Sequence, residues 1–210
     1  MPKAQNPRAL GKAHGDASGR PMDEAAILTQ TQSPEYILFG PQDTKEAGGL
    51  LALALEAGGS LIGPLAILLY GPLGSGKTTF AQGFGEALGV PVGDITSPSF
   101  SLANTHSGRV PFAHLDLYRL DEEGGALAEF EGAGLAEYLD GLALVEWPER
   151  LGEGYFPEGS PMVSLRGTKL PENPGSKPVP ARVLSFRGRL PEAFFKSLRR
   201  RFPTPQDLGA

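Results

Sequence analysis

The spacing of apolar positions changes period along this chain, and each change marks an element. Residues 1–34 mix Gly, Pro, Ala, Gln and scattered charge with no apolar period, which predicts a mostly disordered N-terminal extension. Residues 36–39 are a short apolar run and read as a strand. Asp43 or Thr44 is then placed to cap a helix whose apolar positions, Ala47, Leu50, Leu51 and Ala54, recur at helical spacing. Gly58 and Gly59 stop it. Residues 65–70 form a continuous apolar run of the kind that suits a strand buried on both faces. A glycine-rich stretch follows at once. Phe80, Ala81, Phe84 and Leu88 then mark a helix that Gly89 ends.

Residues 99–105 and 109–115 read as two strands joined at Ser107-Gly108, a hairpin signal. Residues 127–139 are helical but interrupted by Gly132 and Gly134. Residues 142–145 are another buried strand, ended by Glu146-Trp147-Pro148. Strands are also predicted over 162–166 and 182–187, with a loose, flexible loop rich in Pro, Gly and Lys at 167–180. Pro191 opens a last helix. Phe194, Phe195, Leu198 and Phe202 line one side of it, and Lys196, Arg199 and Arg200 the other. No internal repeat is visible. Alternating strands and helices predict an α/β fold: one domain over 35–203, built on a mixed β-sheet with flanking helices, and a tail at 204–210.

Composition narrows the class. With 20 prolines and 29 glycines in 210 residues, many loops are implied and a helical bundle is excluded. The absence of cysteine excludes disulfides, thiolate catalysis and Cys-ligated zinc, and fits a cytoplasmic protein. The longest apolar stretch, residues 61–70, falls short of the ~18 residues a membrane span needs, and no secretory apolar segment is visible. The net charge of −5 argues against a general nucleic-acid coat. Its distribution is uneven: residues 121–158 carry eleven acidic residues against Arg150 alone, while residues 181–210 carry seven basic and two acidic ones. Asymmetry of this kind marks candidate partner surfaces.

The chemistry starts at residues 71–78, Gly-Pro-Leu-Gly-Ser-Gly-Lys-Thr, a phosphate-binding loop pattern set between a buried strand and a periodic helix. Glycines let successive N–H groups turn inward toward an anion. The helix behind adds the positive end of its dipole. Gly71, Leu73, Gly74, Ser75, Gly76, Lys77, Thr78 and Thr79 are therefore the candidate nucleotide contacts. Lys77 supplies charge to the β and γ phosphates, and the Thr78 hydroxyl can ligate Mg²⁺. Hydrolysis also needs a carboxylate at a neighbouring strand end, to hold the metal or to orient water. Asp116 and Glu146 each directly follow an apolar run and both qualify. Thr96-Ser97-Pro98-Ser99 is a hydroxyl-rich turn; its spacing alone reads as an ordinary turn, and a γ-phosphate sensor is the alternative. Trp147, the only tryptophan, reads by itself as a core residue, while next to a candidate metal-site acid it offers a flat partner for a purine. His114 shares a strand face with Asp116 and reads as structural, not as a ligand. For Arg119 an ordinary salt bridge is the simpler role.

These pieces line up with a known pattern. The runs at 71–80, 96–100 (Thr-Ser-Pro-Ser-Phe), 114–120 (His-Leu-Asp-Leu-Tyr-Arg-Leu) and 146–150 (Glu-Trp-Pro-Glu-Arg) resemble the TsaE family, in its order and with similar spacing. That family is the ATPase subunit of the bacterial machinery that makes threonylcarbamoyladenosine in tRNA. The resemblance implies a P-loop NTPase-like fold and a Mg²⁺-dependent ATPase, weak alone. Its implied partners are the threonylcarbamoyl transferase and that enzyme's inactive paralogue (TsaD and TsaB type), and hydrolysis resets their complex. It implies that Thr78 and Glu146 hold Mg²⁺, that Asp116 acts near the metal or the attacking water, and that Lys77 completes the catalytic set. Trp147 is implied at the adenine and Thr44 near the nucleotide. The chain departs from the family pattern with Pro72 in place of Asp, Ser99 in place of Thr, and extra length at 1–34 and 167–180. Two other readings share the loop. A small-molecule kinase would need an arginine-rich lid, which residues 121–158 lack. A nucleotide-gated interaction module would bind without turnover. The basic side of the last helix is a candidate tRNA contact.

Overall fold

The computed structural model describes residues 27–30, 34–120, 125–152, 154–171 and 177–209. They form strands β1 (Ile27–Gln30), β2 (Tyr36–Leu38), β3 (Leu65–Tyr70), β4 (Ala103–His106), β5 (Phe112–Asp116), β6 (Leu142–Glu146), β7 (Met162–Pro171) and β8 (Pro178–Pro191). The helices are α1 (Pro41–Ala57), α2 (Lys77–Ala87), α3 (Ala126–Gly132) and α4 (Glu192–Arg201).

The apolar run of β3 lies in the middle of one mixed sheet of order β1-β8-β7-β3-β6-β5-β4, with β2 also paired to β8. The four central strands, β7, β3, β6 and β5, run parallel. Antiparallel β4 and β8 flank them. Strand β3 alternates between two cores, as a doubly covered strand must. Ile67 and Leu69 pack with α1, α2 and α4 through Leu51, Phe80, Phe84, Phe194 and Leu198. Ala66 and Leu68 pack on the opposite face with Phe130 of α3 and Leu135 of the short 3₁₀ helix Leu135–Asp140. The α/β class and the mixed sheet with flanking helices are as expected, and all parallel strands deliver their carboxyl ends to one edge of the sheet.

Several boundaries differ from the expectation, each for a physical reason. Helix α1 starts at Pro41 with Gly40 as its cap, so neither Asp43 nor Thr44 is the cap. Proline's fixed φ suits the first helical position, which moves the start forward. Asp43 instead accepts the Phe39 N–H at 2.9 Å from within the first turn, and the Thr44 hydroxyl donates to the Gly40 carbonyl at 3.1 Å. The first hairpin strand begins at Ala103, because Leu102 N–H donates to the Pro98 carbonyl and closes a turn ahead of it.

The loop expected at 167–180 is largely a hairpin. Strands β7 and β8 stay in register from Met162↔Arg187 to Pro171↔Pro178, and residues 172–176 lie outside the described ones. Its prolines hid this ladder. Pro178 and Pro180 sit beyond the span where β2 pairs with β8, so among the described residues no strand on that edge misses an N–H. The extension expected to be disordered contains β1, paired with Gly188–Pro191 of β8. The rest of that prediction, residues 1–26 and 31–33, lies outside the described residues. Within the expected tail, Gln206–Leu208 forms a short 3₁₀ helix, and Leu208 packs on Ile37 and Val183.

Candidate functional site

The turn from β3 into α2 is possible only for glycine at its critical points. Gly71, Gly74 and Gly76 have φ of 140°, 76° and 106°, a region that L side chains rarely enter. Gly71 is also crowded: an added Cβ would lie 2.2 Å from the Leu165 carbonyl oxygen. The curled loop hands over to α2 at Lys77, so the N-terminal turn of that helix, with Thr78 and Thr79, opens onto a cavity of about 370 Å³. A second cavity, of about 420 Å³, has no carboxylate among the described residues of its wall.

The parallel strands bring the two acids to the same place. Asp116 and Glu146 are register partners at the carboxyl ends of β5 and β6, and both are buried. The Thr78 hydroxyl donates to Glu146 Oε1 at 2.8 Å, which ties the start of α2 to β6. The same oxygen lies 2.9 Å from His114 Nε2. Asp116 is held at both ends: Ser97 Oγ donates to Oδ2 at 2.5 Å, and the Tyr118 N–H donates to Oδ1 at 3.1 Å. The hydroxyl-rich turn therefore reaches the carboxylate directly.

Lys77 is turned back on its own loop, donating to the carbonyls of Gly71 at 2.7 Å and Pro72 at 3.2 Å. The Trp147 ring caps it, with Nζ 3.9 Å from the ring centroid. Burial lowers the Lys77 pKa, against the pull of Glu146, Asp116 and Glu149. Trp147 takes a left-handed backbone, φ 58°, and its ring meets Tyr118 at 4.9 Å between centroids. The indole thus sits over the loop lysine.

Leu73, Gly74, Gly76, Lys77, Thr78, Thr79, Asp116, Glu146 and Trp147 line one cavity. Gly71 and Ser75 belong to the same loop without lining the cavity, and the buried Ser75 hydroxyl has no hydrogen-bond partner among the described residues. Thr44 is buried, and its methyl group lies behind the loop, 3.3 Å from where a Cβ on Gly76 would be. Arg119 lines the cavity and stacks over Phe100 at 4.1 Å, with no salt bridge among the described contacts. Arg182 was not singled out from the sequence. It reaches in from β8, and its Nε donates to the Ser75 carbonyl at 2.8 Å. No local pattern announces an arginine in a strand 107 residues away from its partner. His114, expected to be structural, turns a ring nitrogen toward a site carboxylate.

The model of the family described as "Threonylcarbamoyl adenosine biosynthesis protein TsaE" matches residues 38–172. The chain belongs to the TsaE family. The matched span contains the loop, the Ser97 turn, both acids and Trp147, whereas Arg182 and α4 lie beyond it. Relatives named tRNA threonylcarbamoyladenosine biosynthesis protein TsaE include one from a Nostoc species, 38% identical over 59% of this chain and 74% of its own length. Another, from Treponema pallidum, is 35% identical over 60% of this chain and 85% of its own. The crystal structure of Bacillus subtilis YdiB has a similar fold, with a TM-score of 0.51 and 26% identity, covering 81% of this chain and 97% of that one. The fold is that of the P-loop NTPase-like TsaE proteins.

Proposed function

We propose that this chain binds Mg-ATP in the Lys77–Glu146 cavity and hydrolyses it in support of tRNA threonylcarbamoyladenosine formation. Its partners in this reading are the threonylcarbamoyl transferase and its paralogue, which places it in the cytoplasm. The observation that carries the reading is the direct Thr78–Glu146 contact at the mouth of a phosphate loop, with Asp116 paired alongside.

The donor set fits Mg²⁺. A hydroxyl and a carboxylate share one hydrogen bond, so their oxygens already converge, and both are hard ligands. Among the described residues no cluster of three or more His, Cys, Asp or Glu could hold a metal alone. That suits an ion whose remaining ligands are phosphate oxygens and water. When bound, Mg²⁺ supplies charge neutralisation at the phosphate oxygens. The chain does the rest. The loop N–H groups and α2 orient the phosphates. Asp116, fixed by Ser97 and Tyr118, is placed to align a water and take its proton. Lys77, bonded to the Gly71 and Pro72 carbonyls beneath the Trp147 ring, is the cation for the β and γ phosphates.

The test is reconstitution. Wild type and Lys77→Ala are each mixed with the transferase pair and tRNA, and ATP turnover and threonylcarbamoyl transfer are followed together. Lys77→Ala should lose at least ~100-fold in turnover, the scale of removing a charge that stabilises the transition state. Equal turnover by the two proteins would overturn the reading. A second reading is favoured by the capped Lys77: a nucleotide-gated module that binds and releases without hydrolysis. It predicts partner-dependent binding of ATP with no phosphate release.

Arg182 adds a prediction at the opposite wall of the loop. It brings a guanidinium to the cavity and holds the Ser75 carbonyl. Arg182→Ala should weaken ATP binding about tenfold by calorimetry, the worth of one hydrogen bond to a charged group. The exposed basic side of α4 is the proposed tRNA contact, although Glu192 lies 3.8 Å from Arg199 and Glu46 engages Arg201 at 2.6 Å. Among the described residues no helix is long and apolar enough to cross a membrane.

A further inference from the structure

We infer that His114 is a positioning residue for Glu146: its Nε2–H fixes the carboxylate so that one oxygen is held by the protein and the other is left for the site. The inference rests on the Mg-ATP reading and adds to it a residue that acts through Glu146 without touching the nucleotide.

The pairing of β5 with β6 places His114 opposite Leu144 and Asp116 opposite Glu146. His114 is therefore one step behind the acids on the same face of the sheet, and its ring reaches diagonally forward. It is completely buried and its Nε2 lies 2.9 Å from Glu146 Oε1. Against a carboxylate, Nε2 is the donor, which sets the tautomer. Thr78 donates to the same oxygen from the other side. Two donors thus converge on Oε1, while no described hydrogen bond reaches Oε2.

The other ring nitrogen decides between filler and function. His114 Nδ1 is buried and has no hydrogen-bond partner among the described residues. A buried polar atom left unpaired costs free energy. A phenylalanine would fill this apolar setting without that cost. Among the described residues the one hydrogen bond of the ring is that to Glu146. Carboxylates that hold metals are commonly oriented in this way, and loss of the orienting group typically costs 10–100-fold in metal affinity or activity.

The two ring nitrogens can be separated by substitution. Glutamine carries an amide N–H near the Nε2 position, whereas asparagine places its amide near Nδ1. Phenylalanine keeps the ring shape and removes both. Full-length wild type, His114→Gln, His114→Asn and His114→Phe would be titrated with ATP at rising Mg²⁺, and again in EDTA, with binding read by calorimetry. Apo melting temperature is recorded for each. His114→Phe and His114→Asn should need ~10–100-fold more Mg²⁺ for the same gain in ATP affinity. His114→Gln should stay near wild type, and binding in EDTA should be equal for all four.

Unchanged Mg²⁺ dependence in the Phe or Asn variant overturns the proposal. So does a shift in the Gln variant as large as in the Asn one, since that tracks ring loss and not the hydrogen bond. If the Phe variant fails to fold, the Gln and Asn pair still decides. A wild type with no Mg²⁺-dependent gain in ATP binding would instead sink the metal-site reading itself.

Discussion

Changing either acid at the strand ends should stop hydrolysis, but in two distinguishable ways. Glu146→Gln keeps the shape of the side chain and one acceptor for Thr78, but it removes the charge of the carboxylate opposite the loop. Partner-stimulated ATP turnover should fall ~10²–10³-fold, the usual scale for losing one preorganised electrostatic contact at a reacting phosphoryl group. Much of the loss should be recoverable at high Mg²⁺, because the defect is in holding the ion. Asp116→Asn should lose ~10²–10⁴-fold, the range for a positioned base. Here added Mg²⁺ should restore nothing, and ATP affinity should stay near wild type. The Tyr118 N–H can still donate to the amide oxygen, and the Ser97 hydroxyl can turn to accept from the amide nitrogen, so the geometry survives while basicity is lost. Single-turnover phosphate release across a Mg²⁺ series separates the two. Turnover of Asp116→Asn within a few-fold of wild type would remove it from the catalytic set. Rescue of both variants alike by Mg²⁺ would make both acids metal ligands.

That the two acids could be chosen at all reflects how locally their signal is written. An acid directly after an apolar run becomes, in a parallel sheet, a group at the carboxyl edge, and the run of β3 before Gly71 is legible in the same way. The loop glycines were equally readable, because their left-handed φ admits little else. What stayed hidden depends on pairing between distant segments. His114 showed its strand face, but its carboxylate partner is set by the register of β5 against β6. Arg182 belongs to a strand whose neighbours lie far away in sequence. Strand β1 has no period of its own and exists through its ladder with β8. The segment at 167–180 failed for the opposite reason: its Pro and Gly content signals a loop, yet the flanking ladder and Leu170, packed toward Ile37 and Val183, hold it as strand. Trp147 followed its motif in sequence, but its packing over the loop lysine and against Tyr118 joins segments far apart in the chain.

A single methyl group at Gly83 should destabilise the protein by about 3 kcal/mol, the upper end for overpacking a core. Helices α1 and α2 cross at two glycines. A Cβ on Gly83 would lie 1.8 Å from the Lys45 carbonyl oxygen, and one on Gly48 would lie 2.1 Å from that of Phe80. The obstructing atoms are backbone, so no side chain can rotate aside; one helix must move. Neither glycine has a positive φ, so closeness and not conformation is what demands glycine there. The ordinary gain of Gly→Ala within a helix, up to ~1 kcal/mol, works against this loss and does not cancel it. In a domain of this size a loss of ~3 kcal/mol lowers the melting temperature by about 6–12 °C. Gly132→Ala is the internal control: it lies in α3 with nothing near its Cβ position, and the same substitution should be neutral or slightly stabilising. Equal melting of Gly83→Ala and wild type would show that the helices are not in this contact. The seam also connects to the site. Helix α2 begins with Lys77 and Thr78, α1 lays Thr44 behind Gly76, and Lys45 bridges to Glu86 at 2.6 Å along the same crossing. Pushing the helices apart therefore withdraws support from the loop. Gly83→Ala should weaken ATP binding even at temperatures where it remains folded, which a purely global loss of stability would not do.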